Sequence, residues 1–412
     1  MPYNLRKRYP AAIVDLFEER LLQSHQIHIR GIIYSWNYNR KYTIDRFHSG
    51  QVDVDREQRP HRRLECVFER PERRFDLAIN DIIQIWYEVE CPELMSATYD
   101  WRDPWIKIPI FYGLPQSLPK TKGSTVTLVG VGYEQRYNFN RPARNMVAKN
   151  TRNSDGVRKI LNDWERICGA SRDARFSANE KSKHRLATNY FYGIDPAESD
   201  RNVYAPGGTR TIGLSLGETT PWGAAKKLAA GAGGWLLYWG CDGYCVLRSP
   251  EPHPKPAIIL NSSNAKLLAE PEGEQDWENF RNGVVIYGQK MKNGRFAKGE
   301  AWTDDATSPA NLRWRIPEVI TGAQAGSNSA ARGYAKERLK IWRAADLVLD
   351  TTNLIDPRLQ EYDWMRVDWF DRSWTVPIIS FTIPFKGGTQ TISSKQRRRP
   401  AKMYNLARRR LK

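Results

Sequence analysis

The sequence predicts a mixed, β-rich protein of several domains. Three observations carry that prediction. Short apolar stretches with a period near two recur through the first third of the chain. Gly (29) and Pro (24) punctuate the whole of its 412 residues. Helical periodicity is confined to a few segments. The length allows two or three domains at roughly 150 residues each, and frequent turns fit short strands joined by loops. With 40% hydrophobic residues and 15 Trp, sizeable cores can form and a disordered chain is excluded.

Residues 10–23 read as a short amphipathic helix, with Ile13, Leu16, Phe17 and Leu21 on one face. From Ile27 the period changes towards two. Strand-like segments follow at 27–36, 42–44, 51–55, 64–68, 82–89, 106–111 and 125–131. Seven such segments separated by Gly, Pro and charged turns predict a barrel or a sandwich over 27–140. The segment from Gly123 closes this domain, and 133–137 crosses to a middle region, 141–275.

There, Ser154 or Asp155 is positioned to cap a helix running to Cys168. Its Val157, Ile160, Leu161, Trp164 and Ile167 share a face, and Gly169 stops it. Residues 171–217 are polar and rich in Gly, Asn and Arg, a long excursion. A second helix begins at Thr219-Thr220 with Pro221 in its first turn. Trp222, Ala225, Leu228 and Ala229 line one face, and Gly231-Ala-Gly-Gly234 ends it. A hairpin follows, 235–239 and 245–248, around Asp242-Gly243, a strong two-residue turn signal. That turn pairs Cys241 with Tyr244 and Gly240 with Cys245. Neighbouring pairs point to opposite faces, so the two thiols diverge and read as structural.

The last domain, 276–394, opens with the strand 282–288, entered through an Asn-Gly turn. A helix over 327–345 places Ala331, Tyr334, Ala335, Arg338, Ile341, Trp342 and Ala345 on one face. It leads into Leu347-Val348-Leu349, then 354–367, a strand-like run over 374–383, a Gly-Gly turn and a final short strand. Residues 1–26 form an N-terminal helical segment, and 395–412 a basic C-terminal tail outside the fold.

The net charge of +18 is unevenly placed. After Asp371 there is no Asp or Glu, while eleven Lys and Arg follow, which leaves +7 for the rest. Arg397, Arg398, Arg399, Arg408, Arg409 and Arg410 are the leading candidate contacts, each able to grip phosphate or carboxylate bidentately. They suit DNA bound without sequence preference, or equally an acidic face of a partner protein. A solvated tail is the plain alternative. Only Tyr404 lies between the two Arg clusters, too little for single-strand stacking.

Five scattered cysteines fit a reduced compartment rather than a disulfide framework. No stretch of about twenty apolar residues spans a membrane, and the basic start lacks the apolar run of a signal peptide. His25 and His28 are close, but no second pair stands at zinc-ligand spacing. No P-loop or His-Glu-x-x-His motif occurs, and no carboxylate pair stands out as acid and base. The expectation is a non-enzyme without metal or cofactor.

Several segments together resemble phage tail-hub (baseplate hub) proteins, especially the minor tail proteins of siphophages infecting actinobacteria. They are His48-Ser-Gly-Gln-Val-Asp-Val-Asp55 followed by Arg62-Arg63, and Thr220-Pro-Trp222 with Leu228-Ala229. The others are Gly233-Gly-Trp-Leu-Leu-Tyr238 with Asp242-Gly-Tyr-Cys-Val-Leu247, then Asn282-Gly-Val-Val-Ile-Tyr-Gly288, and Gln360-Glu-Tyr-Asp-Trp-Met-Arg-Val367. Tyr362 stands where the resemblance has Gly. The resemblance spans roughly 22–394 and implies a hub-like fold of two barrel-like β domains joined by α/β segments. It implies a homotrimer forming a pseudo-sixfold ring that adapts the tail tube to the tail tip. Tape-measure protein and then DNA pass through its lumen. The implied partners are the tail tube or distal tail protein, the tape-measure protein and other tail-tip proteins, with transient DNA contact. The implied location is the tail tip of the virion, after assembly in the host cytoplasm.

Overall fold

The computed structural model describes residues 5, 8–21, 27–56, 58, 60–72, 75–96, 103–139, 145–168, 174–178, 186, 190–192, 220–231, 235–248, 255–261, 267–275, 281–303, 315–323, 325–342, 347–369 and 372–394. The basic tail and most of 171–217 lie outside these residues.

The chain opens with α1 (Ala11–Arg20), which buries Ile13, Val14 and Phe17. Eight strands follow: β1 (Ile27–Tyr34), β2 (Arg40–Ile44), β3 (Phe47–Asp55), β4 (Arg62–Glu69), β5 (Ile82–Glu90), β6 (Trp105–Pro115), β7 (Lys120–Lys122) and β8 (Thr125–Gly132). All seven strand-like segments read from the sequence are present, and β7 is a short addition. Period-two apolarity maps onto burial: in β3 Val52 and Val54 face the core while Gln51 and Asp53 stay part-exposed.

The middle holds β9 (Asn145–Val147), α2 (Asn153–Ile167), β10 (Phe176–Ala178), β11 (Tyr190–Tyr192), α3 (Pro221–Gly231), β12 (Leu236–Trp239) and β13 (Cys245–Arg248). The helix α2 begins before its expected caps. Ser154 and Asp155 lie inside its first turn, and Asn153 donates from Nδ2 to the Leu228 carbonyl at 2.9 Å, tying α2 to α3. Ile167, read as core, is half exposed at the end of α2. For α3 the reading holds: the Gly223 N–H donates to Thr220 Oγ1 at 3.1 Å, a side-chain cap just ahead of Pro221.

The last part contains β14 (Ile258–Asn261), β15 (Glu272–Gln275), β16 (Gly283–Lys290), β17 (Phe296–Trp302), β18 (Pro317–Thr321), α4 (Asn328–Trp342), β19 (Leu347–Leu354), β20 (Trp364–Trp369), β21 (Arg372–Pro377), β22 (Ser380–Pro384) and β23 (Thr389–Ser393). Asn282-Gly283 is not a turn. Asn282 Oδ1 accepts the Ile316 N–H at 2.7 Å and starts the parallel pairing of β16 with β18, and Gly283 is not among the residues of positive φ. The run 374–383 divides into β21 and β22, separated by buried Ile378 and Ile379, whose apolarity hides the break. The buried side of α4 carries Leu339 beside the expected Ala331, Tyr334 and Ala335, because Arg338 turns aside to Glu318.

The architecture is the expected mixed, β-rich one. A 12-stranded sheet runs β15-β19-β23-β22-β3-β4-β8-β6-β5-β1-β2, with β7 attached to β8. It stays open at β2 and β15, and no closed barrel occurs among the described residues. Strands from residues 27–132 and from residues 272–393 meet where β22 pairs antiparallel with β3, Phe381 opposite Val54. Asp53 Oδ1 also accepts the Thr382 hydroxyl across this seam at 2.8 Å. Buried apolar side chains form three clusters. The largest joins α1, the amino-terminal strands and the carboxy-terminal strands. A second, rich in Trp and Tyr, lies under α2, α3 and β12–β13. A third packs α4 on β16–β18.

Candidate functional site

The first residue of β4, Arg62, is 1% exposed, so its guanidinium needs an internal partner. It has one from the far end of the chain. Its Nε meets Glu361 Oε1 at 2.5 Å and its Nη2 meets Oε2 at 2.9 Å, while Nη1 donates to the Ile110 carbonyl at 2.6 Å. This is the two-pronged fit of guanidinium to carboxylate. Burial disfavours the Arg62 charge, but Glu361 overrides it and holds the pKa above its ordinary value.

The loop 356–363 that carries Glu361 is fixed from several sides. Asp363 Oδ2 accepts the Gln360 N–H at 3.0 Å, and Gln360 Nε2 donates to Cys241 Sγ at 2.9 Å. Arg248 Nη2 donates to the Tyr362 carbonyl at 2.7 Å. Tyr362 has φ +64°, the left-handed region that favours Gly. This turn geometry explains why Gly would suit the position. The Tyr362 ring lies 5.3 Å from that of Tyr238 and 5.8 Å from the Arg56 guanidinium. Those contacts offset the backbone cost.

Beside this pair the His61 N–H donates to Glu134 Oε1 at 2.6 Å, and Lys226 Nζ of α3 lies 2.8 Å from His61 Nε2. Further into the aromatic cluster, Glu165 of α2 binds Arg136 through Nε at 3.2 Å and Nη2 at 3.0 Å, and accepts the Tyr137 hydroxyl at 2.5 Å. Trp164 Nε1 donates to the Arg136 carbonyl at 2.7 Å, and Tyr137 stacks on Trp239 with centroids 5.2 Å apart. The arrangement is a buried charged joint. It fastens the start of β4, the middle hairpin, α3 and the carboxy-terminal loop to one another.

The hairpin register differs by one residue from the sequence reading. Trp239 pairs with Cys245 and the Gly240 N–H donates to the Tyr244 carbonyl at 2.8 Å, so Cys241-Asp242-Gly243 is a three-residue loop. The cause is local. Asp242 Oδ1 accepts the Tyr244 N–H at 3.2 Å, and Gly243 takes φ +81° as the last loop residue. The thiols still part: Cys241 meets Gln360, and Cys245 packs in the aromatic cluster. His28, one of the histidines weighed for metal, binds Glu88 Oε2 through Nδ1 at 2.9 Å. Among the described residues no group of three or more His, Cys, Asp and Glu could hold a metal ion, and no helix is long and apolar enough to cross a membrane.

Burial raises the thiol pKa of Cys91 to about 11 and of Cys241 to about 12, and pushes Cys66 and Cys245 higher still. Cys168 alone is exposed. A thiol reagent at pH 8 is expected to modify one cysteine quickly and the other four only on unfolding. Cys168→Ser is expected to abolish the fast phase, and two or more fast thiols would contradict this packing.

The sequence candidates Arg397, Arg398, Arg399, Arg408, Arg409 and Arg410 lie outside the described residues. So does Gly213-Leu-Ser-Leu-Gly217, a Gly-x-Ser-x-Gly spacing.

No family model and no curated protein matches the chain. Solved structures do. The tail protein from Neisseria meningitidis MC58 superposes with a TM-score of 0.56 at 15% identity, over 89% of this chain and 95% of that one. The 43 kDa tail protein of prophage MuSo2 from Shewanella oneidensis gives 0.52 at 12% identity, over 88% and 97%. The chain has the fold of these tail proteins. Prophage tail protein gp18 from Listeria monocytogenes EGD-e agrees, at 0.51 and 10% identity over 89% and 95%. Within this tail-protein fold, Arg62 and Glu361 fall in two of the segments that carried the resemblance, 299 residues apart. The sequence displayed both residues but not their pairing.

Proposed function

We propose that this chain is a structural protein of a phage-type tail, a hub of the siphophage minor-tail kind at the tail tip. Three copies form a ring that adapts the tail tube to the tip, and its lumen passes tape-measure protein and then DNA. The observation that carries this reading is the extent of the fold likeness, 88–89% of the chain against three tail proteins rather than one shared module. Arg397 to Arg399 and Arg408 to Arg410 then serve as contacts to an acidic face of a neighbouring tail protein or to passing DNA.

The run of eleven cations without an acid after Asp371 favours one other reading, a nucleic-acid-binding protein acting through that tail. Negative-stain imaging with solution mass at high concentration separates the two. The hub reading expects a threefold ring with a central hole, built of three 47.6 kDa chains and unaffected by deleting residues 395–412. A compact monomer whose DNA binding falls steeply with salt and vanishes on that deletion overturns it.

A further inference from the structure

Three glutamates lie buried around the joint: Glu134, Glu165 and Glu361. Arg136 neutralises Glu165 and Arg62 neutralises Glu361. Glu134, 1% exposed, has no ion pair among the described residues. Its Oε1 accepts the His61 N–H, and its Oε2 is packed so tightly on Gly132 that a Cβ there would lie 2.4 Å away. The groups that face it come from every packed element. The start of β4 gives His61 and Arg62, α3 gives Lys226, the loop gives Glu361 and β13 gives Cys245. The one ammonium among them, Lys226 Nζ, lies 2.8 Å from His61 Nε2.

A carboxylate here has lost its water and has a second carboxylate near, with no guanidinium of its own. The neutral acid avoids both costs. We propose that Glu134 is a proton-operated latch for this joint, holding the loop 356–363 against β4 and α3 when protonated and loosening it when ionised. Burial, and after it the Glu361 charge, raise the Glu134 pKa to about 7, against the lowering pull of the backbone N–H groups of His61 and of Glu134 itself and of Lys226. The sign follows from linkage. Its folded pKa lies above the ordinary 4.5, so the folded joint keeps a proton that the open form has lost. The stabilisation is complete below about pH 4.5, declines as pH rises, and is gone above about pH 7.

Hydrogen exchange on the full chain, read by mass spectrometry between pH 5 and 8 and corrected for intrinsic rates, tests the latch. The opening equilibrium of 356–363 is expected to rise by up to about tenfold per pH unit between roughly 5 and 7, then level off. Glu134→Gln is expected to remove that rise. The same pH profile in wild type and E134Q overturns the proposal. Should E134Q fail to fold, carboxyl NMR of the glutamate-labelled wild-type protein decides. One glutamate titrating near 7 supports the latch, and every glutamate titrating in the ordinary range overturns it. Both readouts use the isolated chain, so they stand whether or not it forms the ring proposed above.

Discussion

Arg62→Ala is expected to destabilise the protein by about 3–5 kcal/mol, the usual cost of leaving a buried charge without its partner. The stranded group is Glu361, as buried as Arg62 itself. The Ile110 carbonyl loses its donor as well. Urea unfolding at pH 7, followed by Trp fluorescence, measures the loss. A double replacement, Arg62→Met with Glu361→Leu, separates charge from packing. It removes both desolvation penalties and is expected to recover most of the stability. An Arg62→Ala protein within about 1 kcal/mol of wild type would mean that the pair is not the fastening inferred here.

Gly113→Ala is expected to be comparably damaging, at about 3 kcal/mol. Gly113 lies where β6, already paired with β5, also meets β8 opposite Gly132. A Cβ at 113 would stand 2.0 Å from the Val131 carbonyl oxygen and 2.6 Å from the Phe111 ring. The backbone carbonyl cannot swing away without breaking the ladder, so β6 must part from β8. Thermal unfolding and limited proteolysis report this. Gly388→Ala is the control, since its Cβ meets nothing within 4 Å, and it is expected to change stability by no more than about 0.5 kcal/mol.

The amino-terminal strands were legible because each has one face towards the core, so apolar alternation records burial directly. The Val52 and Val54 pattern is an example. The helix α3 was legible from Thr220, Pro221 and its Trp-Ala-Leu face, which are local signals. Features set by distant partners were not. Nothing near Arg62 marks it as buried, because the residue that neutralises it lies 299 positions away. The division between β21 and β22 was hidden because Ile378 and Ile379 are both buried, which removes the period that would have marked it. The hairpin register turned on whether Asp242 bonds back to Tyr244, a side-chain choice that a two-residue turn signal does not encode.

The seam between β3 and β22 governs how this chain must be made. The ribosome releases β3 and β4 early, yet the neighbour that covers β3 spans Ser380–Pro384. At about 5–20 residues per second, the free edge of β3 waits some 15–60 s for its partner. During that interval the nascent chain carries an unpaired β edge beside a half-built core, the state most open to pairing with the wrong strand. Its central sheet is therefore completed only once residues 380–393 have been made. A product cut short before residue 380 would be an aggregation-prone fragment and not a smaller version of the protein.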